Sequence, residues 1–179
     1  MLDDPRYTLS QVAEAAGVQV GTLRSWLQRK HWRLDMAVGD SPAEVAGKAH
    51  LITLRRALHI GAAVELVRND VEPARAFRAA LSFVDIFNPE IEAEGRERGH
   101  DGLFADGYTL LAVYPGFDSG IVMWVDAENS TNKPGRPPNA TPLMSIFFPR
   151  LLGGRQVSGT FVWLNQVDRR IRSRLVEAH

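Results

Sequence analysis

The chain is expected to fold as an α+β protein, with helices first and then a small antiparallel sheet closed by a C-terminal helix. Three observations carry this expectation. Between residues 8 and 87, apolar side chains recur at three- and four-residue spacing behind residues suited to helix starts. Beyond residue 102, short apolar runs alternate with turn residues, which is the pattern of strands and hairpins. From Asn165 the helical spacing returns.

Thr8-Leu9-Ser10-Gln11 reads as a capping box, a threonine N-cap with a glutamine three residues later. The helix it opens puts Leu9, Val12, Ala13 and Ala16 on one face and stops at Gly17, suited to a left-handed C-terminal cap. A second helix is expected over Val20–Lys30, with Leu23, Trp26 and Leu27 as its inward stripe. Its opposite face carries Gly21, Thr22, Arg24, Ser25, Gln28 and Arg29, all small, polar or cationic. Residues 32–52 have no helical period and include Gly39-Asp40-Ser41-Pro42 and Gly47, so two short strands around a long tip are expected there.

Thr53 should cap a helix reaching Arg68, with Leu54, Ala57, Leu58, Gly61, Ala62, Glu65 and Leu66 covering two adjoining faces. Asn69-Asp70 should close it, asparagine being tolerant of the left-handed conformation. Glu72-Pro73 starts a further helix bearing Ala76, Phe77, Ala80, Leu81 and Val84. Residues 90–102 are charged and poor in apolar side chains, and they read as a linker between a unit at 1–89 and a unit at 103–179. In the second unit, strands at 108–114 and 121–125 are joined by the hairpin signal Pro115-Gly116-Phe117-Asp118-Ser119-Gly120. A loop at 127–141 and strands at 143–148 and 159–164 follow, with Trp124, Trp163, Phe147 and Phe148 as the sheet's core. The closing helix presents Val167, Ile171 and Leu175 at a spacing of four.

Composition narrows the function. There is no cysteine, which excludes disulfides, thiolate catalysis and cysteine zinc sites. The histidines His31, His50, His59, His100 and His179 lack ligand spacing, so no metal is expected. His100-Asp101 has no nucleophile or second acid beside it, so neither catalytic residues nor a cofactor are expected and the chain reads as a non-enzyme. No apolar run approaches the roughly 20 residues that cross a bilayer, and the start is too acidic for a secretory signal; a cytoplasmic protein is expected. The net charge of zero argues against indiscriminate coating of nucleic acid. It leaves room for specific binding, because only the contacting face need be basic. Residues 19–56 carry such an excess, with Arg24, Arg29, Lys30, Arg33, Lys48, Arg55 and Arg56.

The run from Tyr7 to Arg29 combines an alanine-rich helix, the turn Gly17-Val18 and the helix start Thr22-Leu23-Arg24, with Trp26 at an inward aromatic position. In this it resembles the opening of MerR-family regulators and of phage excisionases. The resemblance implies a winged helix-turn-helix with two supporting helices, and a sequence-specific transcriptional regulator that lays Val20–Lys30 in the major groove of double-stranded DNA. Arg24 and Arg29 would then reach phosphates or guanine edges, and Thr22, Ser25 and Gln28 bases or phosphates, with Gln19, Gly21 and Lys30 on the same side. Lys48 and His50 lie where a wing strand would approach the minor groove, and Arg55 and Arg56 beside the wing, although a solvated face explains the two arginines equally well. The alternative is a phage-type small terminase subunit or excisionase-like accessory protein from a prophage, using the same module for architecture. The unit at 103–179 is expected to form a homodimer, bind a protein partner or sense a ligand. A chain ending near Asn88 is expected to bind DNA by itself. Arg169, Arg170, Arg172 and Arg174 read as a solvated face or as a second contact with nucleic acid.

Overall fold

Local signals set the first two helices of the protein, described here by a computed structural model over residues 2–34, 40–42, 49–84, 98–99, 102–104, 107–125 and 159–176. After a short strand β1 (Tyr7–Thr8), helix α1 (Leu9–Ala16) opens on the expected capping box. The Gln11 amide donates to Thr8 Oγ1 (3.3 Å) and the Thr8 amide to Gln11 Oε1 (2.9 Å). Leu9, Val12, Ala13 and Ala16 are buried, and Gly17 ends the helix at φ 72°. Helix α2 (Val20–Gln28) is shorter than expected. It ends where Lys30 turns left-handed (φ 62°), with the Lys30 amide on the Leu27 carbonyl and the His31 amide on the Trp26 carbonyl.

Strand β2 (Leu51–Ile52) pairs antiparallel with β1, and Ser41 bridges to the other side of Leu51. The expected strands within 32–52 are therefore one two-residue strand and a single bridge among the described residues. The sheet also takes in Tyr7–Thr8, which had no strand signal of their own. The tip with Gly39, Gly47 and Lys48 lies outside the described residues.

Thr53 caps helix α3 (Leu54–Arg68) through its hydroxyl and the Arg56 amide. Eleven of its fifteen residues are buried, because α1, helix α4 (Pro73–Val84) and the last helix all pack on it. The residue that turns left-handed after α3 is Asp70 (φ 63°), not Asn69 (φ −100°). Along α4, Ala76, Phe77 and Ala80 are buried as expected, whereas Leu81 is 46% exposed. It lies on the side of the helix that faces neither α3 nor the sheet.

A second sheet is built from β3 (Tyr108–Val113), β4 (Ile121–Val125) and β5 (Thr160–Trp163), antiparallel in the order β4-β3-β5. Helix α5 (Leu164–Leu175) follows directly. The Asn165 side chain accepts from the Thr109 amide (2.6 Å), which ties the start of α5 to β3. Trp124 and Trp163 are only half-buried; the loop at 127–141, the strand at 143–148 and Phe147 and Phe148 lie outside the described residues. The architecture is thus mixed α+β, with five helices and two small antiparallel sheets among the described residues. None of these helices is long and apolar enough to cross a membrane.

The boundary expected at 90–102 is not a break in packing. One hydrophobic core runs from Tyr7 through α1, α3 and α4 to Val113, Val162, Ile171 and Leu175. The stripe Val167, Ile171 and Leu175 is buried as expected, but against α1 and α3. Within the expected linker, Arg98 is 9% exposed and donates to the carbonyls of Ser82 (3.0 Å) and Phe83 (3.1 Å) at the end of α4. A chain ending near Asn88 would therefore lose part of its own core, because α5 covers α1 and α3.

Gly61 marks the closest approach of α5 to α3, since a Cβ there would lie 3.0 Å from Val167 Cγ1 and 3.1 Å from Ile171 Cδ1. Gly61→Leu should overpack this contact and destabilise the whole chain by about 1–3 kcal/mol. Urea unfolding measures it, and an unchanged midpoint would mean that α5 does not seat on α3.

Candidate nucleic-acid interface

Leu23, fully buried, anchors α2 to the core, so the helix must turn its other side outward. Trp26 and Leu27 are half-buried at the rim of that contact and not deep within it. Trp26 meets the Phe77 ring edge-on (5.6 Å, 71°). Trp32, which carried no core signal, is 3% exposed, stacks on Phe77 (6.1 Å, 20°) and donates its indole N–H to the Leu23 carbonyl (3.4 Å). An aromatic cluster centred on Phe77 thus fixes the C-terminal half of α2.

The outward side is the polar face read from the sequence. Gln19, Gly21, Arg24, Gln28, Arg29 and Lys30 are exposed, and Thr22 and Ser25 are half-exposed. Gln19 precedes the helix without capping it, and a Cβ at Gly21 would meet nothing within 4 Å, so the start of α2 is open. The side chains of Arg24, Arg29 and Lys30 make no hydrogen bond or ion pair among the described residues. Arg24 on α2, with Arg29 and Lys30 just past its end, gives this region exposed cations that have no ion pair among the described residues.

Arg24 and His50 come together. They line one concavity of ≈ 470 Å³ with Thr8, Leu9, Ser10 and Ala49. Ser10 was not singled out in the sequence, where it looked like an ordinary exposed residue inside a capping box. Only the pairing of β1 with β2 carries His50 to the first turn of α1. Lys48 lies outside the described residues.

Other arginines have structural partners instead. Arg55 forms a two-pronged pair with Asp3 (2.7 and 3.3 Å) and also reaches the Val84 carbonyl, so it ties the N-terminal segment to α4 and is not part of the open face. Arg56 is buried: its Nε donates to Asp40 Oδ2 (2.9 Å), and the Asp40 side chain is fully inaccessible. It cannot touch DNA in this arrangement. On α5, Arg170 pairs with Glu65, Arg172 with Asp168 (2.6 Å), and Arg174 donates to the Glu14 carbonyl (2.8 Å). These three side chains brace α5; they do not form a free basic face.

Arg56 also donates to His59 Nδ1 (3.1 Å), while His59 Nε2 lies 2.9 Å from the Phe77 carbonyl. Because arginine only donates and a carbonyl only accepts, the ring must be neutral, with its proton on Nε2. Burial pushes the His59 pKa down from 6.5 to about 4; the hydrogen bond to Phe77 opposes this and the Arg56 charge adds to it. In the unfolded chain the ring takes a proton near its ordinary pKa, so the unfolded state binds more protons than the folded one between about pH 6.5 and 4. Stability is therefore complete above that window and falls as the pH drops through it, by up to about 3 kcal/mol. Urea titrations at a series of pH values should show this slope in the parent and its loss in His59→Gln.

No protein-family model matches the chain, and a search of curated proteins finds no significant match, so the interface stands on its geometry alone.

Proposed function

We propose that the protein is a sequence-specific DNA-binding regulator of transcription, with α1 and α2 as a helix-turn-helix and the segment between α2 and α3 as its wing. The observation that carries this reading is the outward face of α2 and the turn after it, where Arg24, Arg29 and Lys30 are exposed and without an ion pair among the described residues, beside Gln28, Ser25 and Thr22. A helix diameter fits the major groove, and such side chains are those that read base edges and hold phosphates. His50 and Ser10, grouped with Arg24, extend the polar surface toward the wing and the first turn of α1, where backbone amides favour a phosphate.

A single helix reads few base pairs, so the reading includes a homodimer on a two-fold site. With the apolar stripe of α5 buried inside the chain, the reading assigns the pairing to another part of residues 103–179.

Selection of bound fragments from random DNA tests the proposal. Paired half-sites about one helical turn apart should be enriched. Arg24→Ala should leave the melting temperature unchanged, because the exposed side chain has no partner among the described residues, and should weaken binding by about 1–3 kcal/mol. An unenriched pool, or an unaltered affinity in a mobility-shift titration of the variant, would overturn the assignment.

A further inference from the structure

Beyond the open face of α2, the protein has a second concavity with a different chemistry. A cleft of ≈ 530 Å³ lies between the end of α2, the start of α3 and the outer side of α4. Its size is that of small-molecule sites, which run to roughly 300–1,000 Å³. Trp32 and Phe77, almost wholly buried, form its floor, and Leu81 and Val84 of α4 make the apolar wall that solvent reaches. The exposure of Leu81, which helical spacing alone would have buried, is thus exposure into the mouth of the cleft.

The rim is cationic. Among the described lining residues there is no aspartate or glutamate, but there are Lys30, Arg33 and Arg78. Lys30 and Arg33 make no side-chain hydrogen bond or ion pair among the described residues; Arg78 feels the Glu72 carboxylate at longer range and has a 3.4 Å contact with Asp118 between two exposed side chains. A contact of that kind contributes little. Arg55 and Arg56 also line the cleft, but Asp3 and Asp40 hold them in place. Lys30 moreover occupies a left-handed position that glycine would fill at lower cost.

We propose that this cleft binds a small organic anion with an apolar body, such as an aromatic carboxylate. A neutral hydrocarbon would leave Lys30 and Arg33 unanswered, and an inorganic anion would leave the apolar wall of Leu81 and Val84 unused. An amphiphilic anion meets both, with its ring against Leu81 and Val84 above the Trp32 edge and its carboxylate among Lys30, Arg33 and Arg78. The cleft shares Lys30 with the proposed DNA-binding face, but its apolar wall and its other two rim cations, Arg33 and Arg78, lie outside that face.

The intact protein is titrated with 1-naphthoate while the indole N–H signals of its tryptophans are followed by NMR, with 1-naphthalenemethanol and inorganic phosphate titrated in parallel. Naphthoate should move the Trp32 signal saturably and leave Trp163 in place, and the neutral alcohol and phosphate should each bind at least about tenfold more weakly. Leu81→Glu, which sets a carboxylate in the mouth, should weaken naphthoate binding by about tenfold or more. The double variant Arg33→Gln/Arg78→Gln should do the same without changing the melting temperature; it carries the test if Leu81→Glu fails to fold. The proposal is overturned if the alcohol or phosphate binds as tightly as naphthoate. It is equally overturned if the double variant keeps full affinity, or if Trp32 shows no saturable response.

Discussion

Asp40 and Arg56 meet inside the protein, and much of the N-terminal architecture depends on that contact. A carboxylate with no access to water is costly to bury unless its charge is matched and its lone pairs are filled. Here Oδ2 accepts from Arg56 Nε and Oδ1 from the Thr53 amide at the head of α3. The guanidinium passes the constraint to His59, and His59 passes it to the carbonyl of Phe77 on α4. One polar chain thus fixes the segment at 40–42, α3 and α4 relative to one another. The Phe77 ring then holds Trp26 and Trp32, and with them the C-terminal half of α2. Removing one partner of such a pair strands the other in the core, which makes the arrangement cooperative as well as costly.

The same chain sorts the arginines by role. Arg55 and Arg56 are neighbours in the sequence and sit on the same helix, yet both are committed to carboxylates of the chain itself. Arg24 and Arg29 lie on a helix whose one deeply buried residue is Leu23, and no carboxylate faces them among the described residues. Charge content alone does not distinguish these cases. The distinction comes from which side of each helix the core claims, and α3 is claimed on nearly every side.

What the sequence made legible follows from the range of the interactions involved. The Thr8–Gln11 box, the Thr53 cap, the Gly17 stop, the Pro73 start and the hairpin at 115–120 each rest on residues a few positions apart, and the structure shows all of them. The polar face of α2 was legible for the same reason. Asp40–Arg56, the pairing of Tyr7 with Ile52, and the seat of α5 on Gly61 link residues far apart in sequence, and no local pattern announces them. Helix ends show the limit clearly. The ends of α1, α2 and α3 share the same pair of backbone hydrogen bonds, with Gly17, Lys30 and Asp70 at the left-handed position. Only the glycine could be read in advance, because at the other two the surrounding packing imposes a conformation that the residue itself disfavours.

The long-range contacts also explain why α1 and α2 can present a rigid face although each is short. Helices of eight and nine residues have little stability of their own. The C-terminal end of α1 is held from two directions. Arg68 of α3 donates to the carbonyls of Ala16 and Gly17, and Arg174 of α5 donates to that of Glu14. A Cβ on Gly17 would stand 2.6 Å from the Arg68 guanidinium, so the turn into α2 is shaped by α3 as much as by its own backbone. The angle at which α2 leaves α1 is therefore set by residues more than fifty positions downstream. The C-terminal helix acts as a brace for the N-terminal face, and whatever that face binds is met by a surface that the whole described chain holds in place.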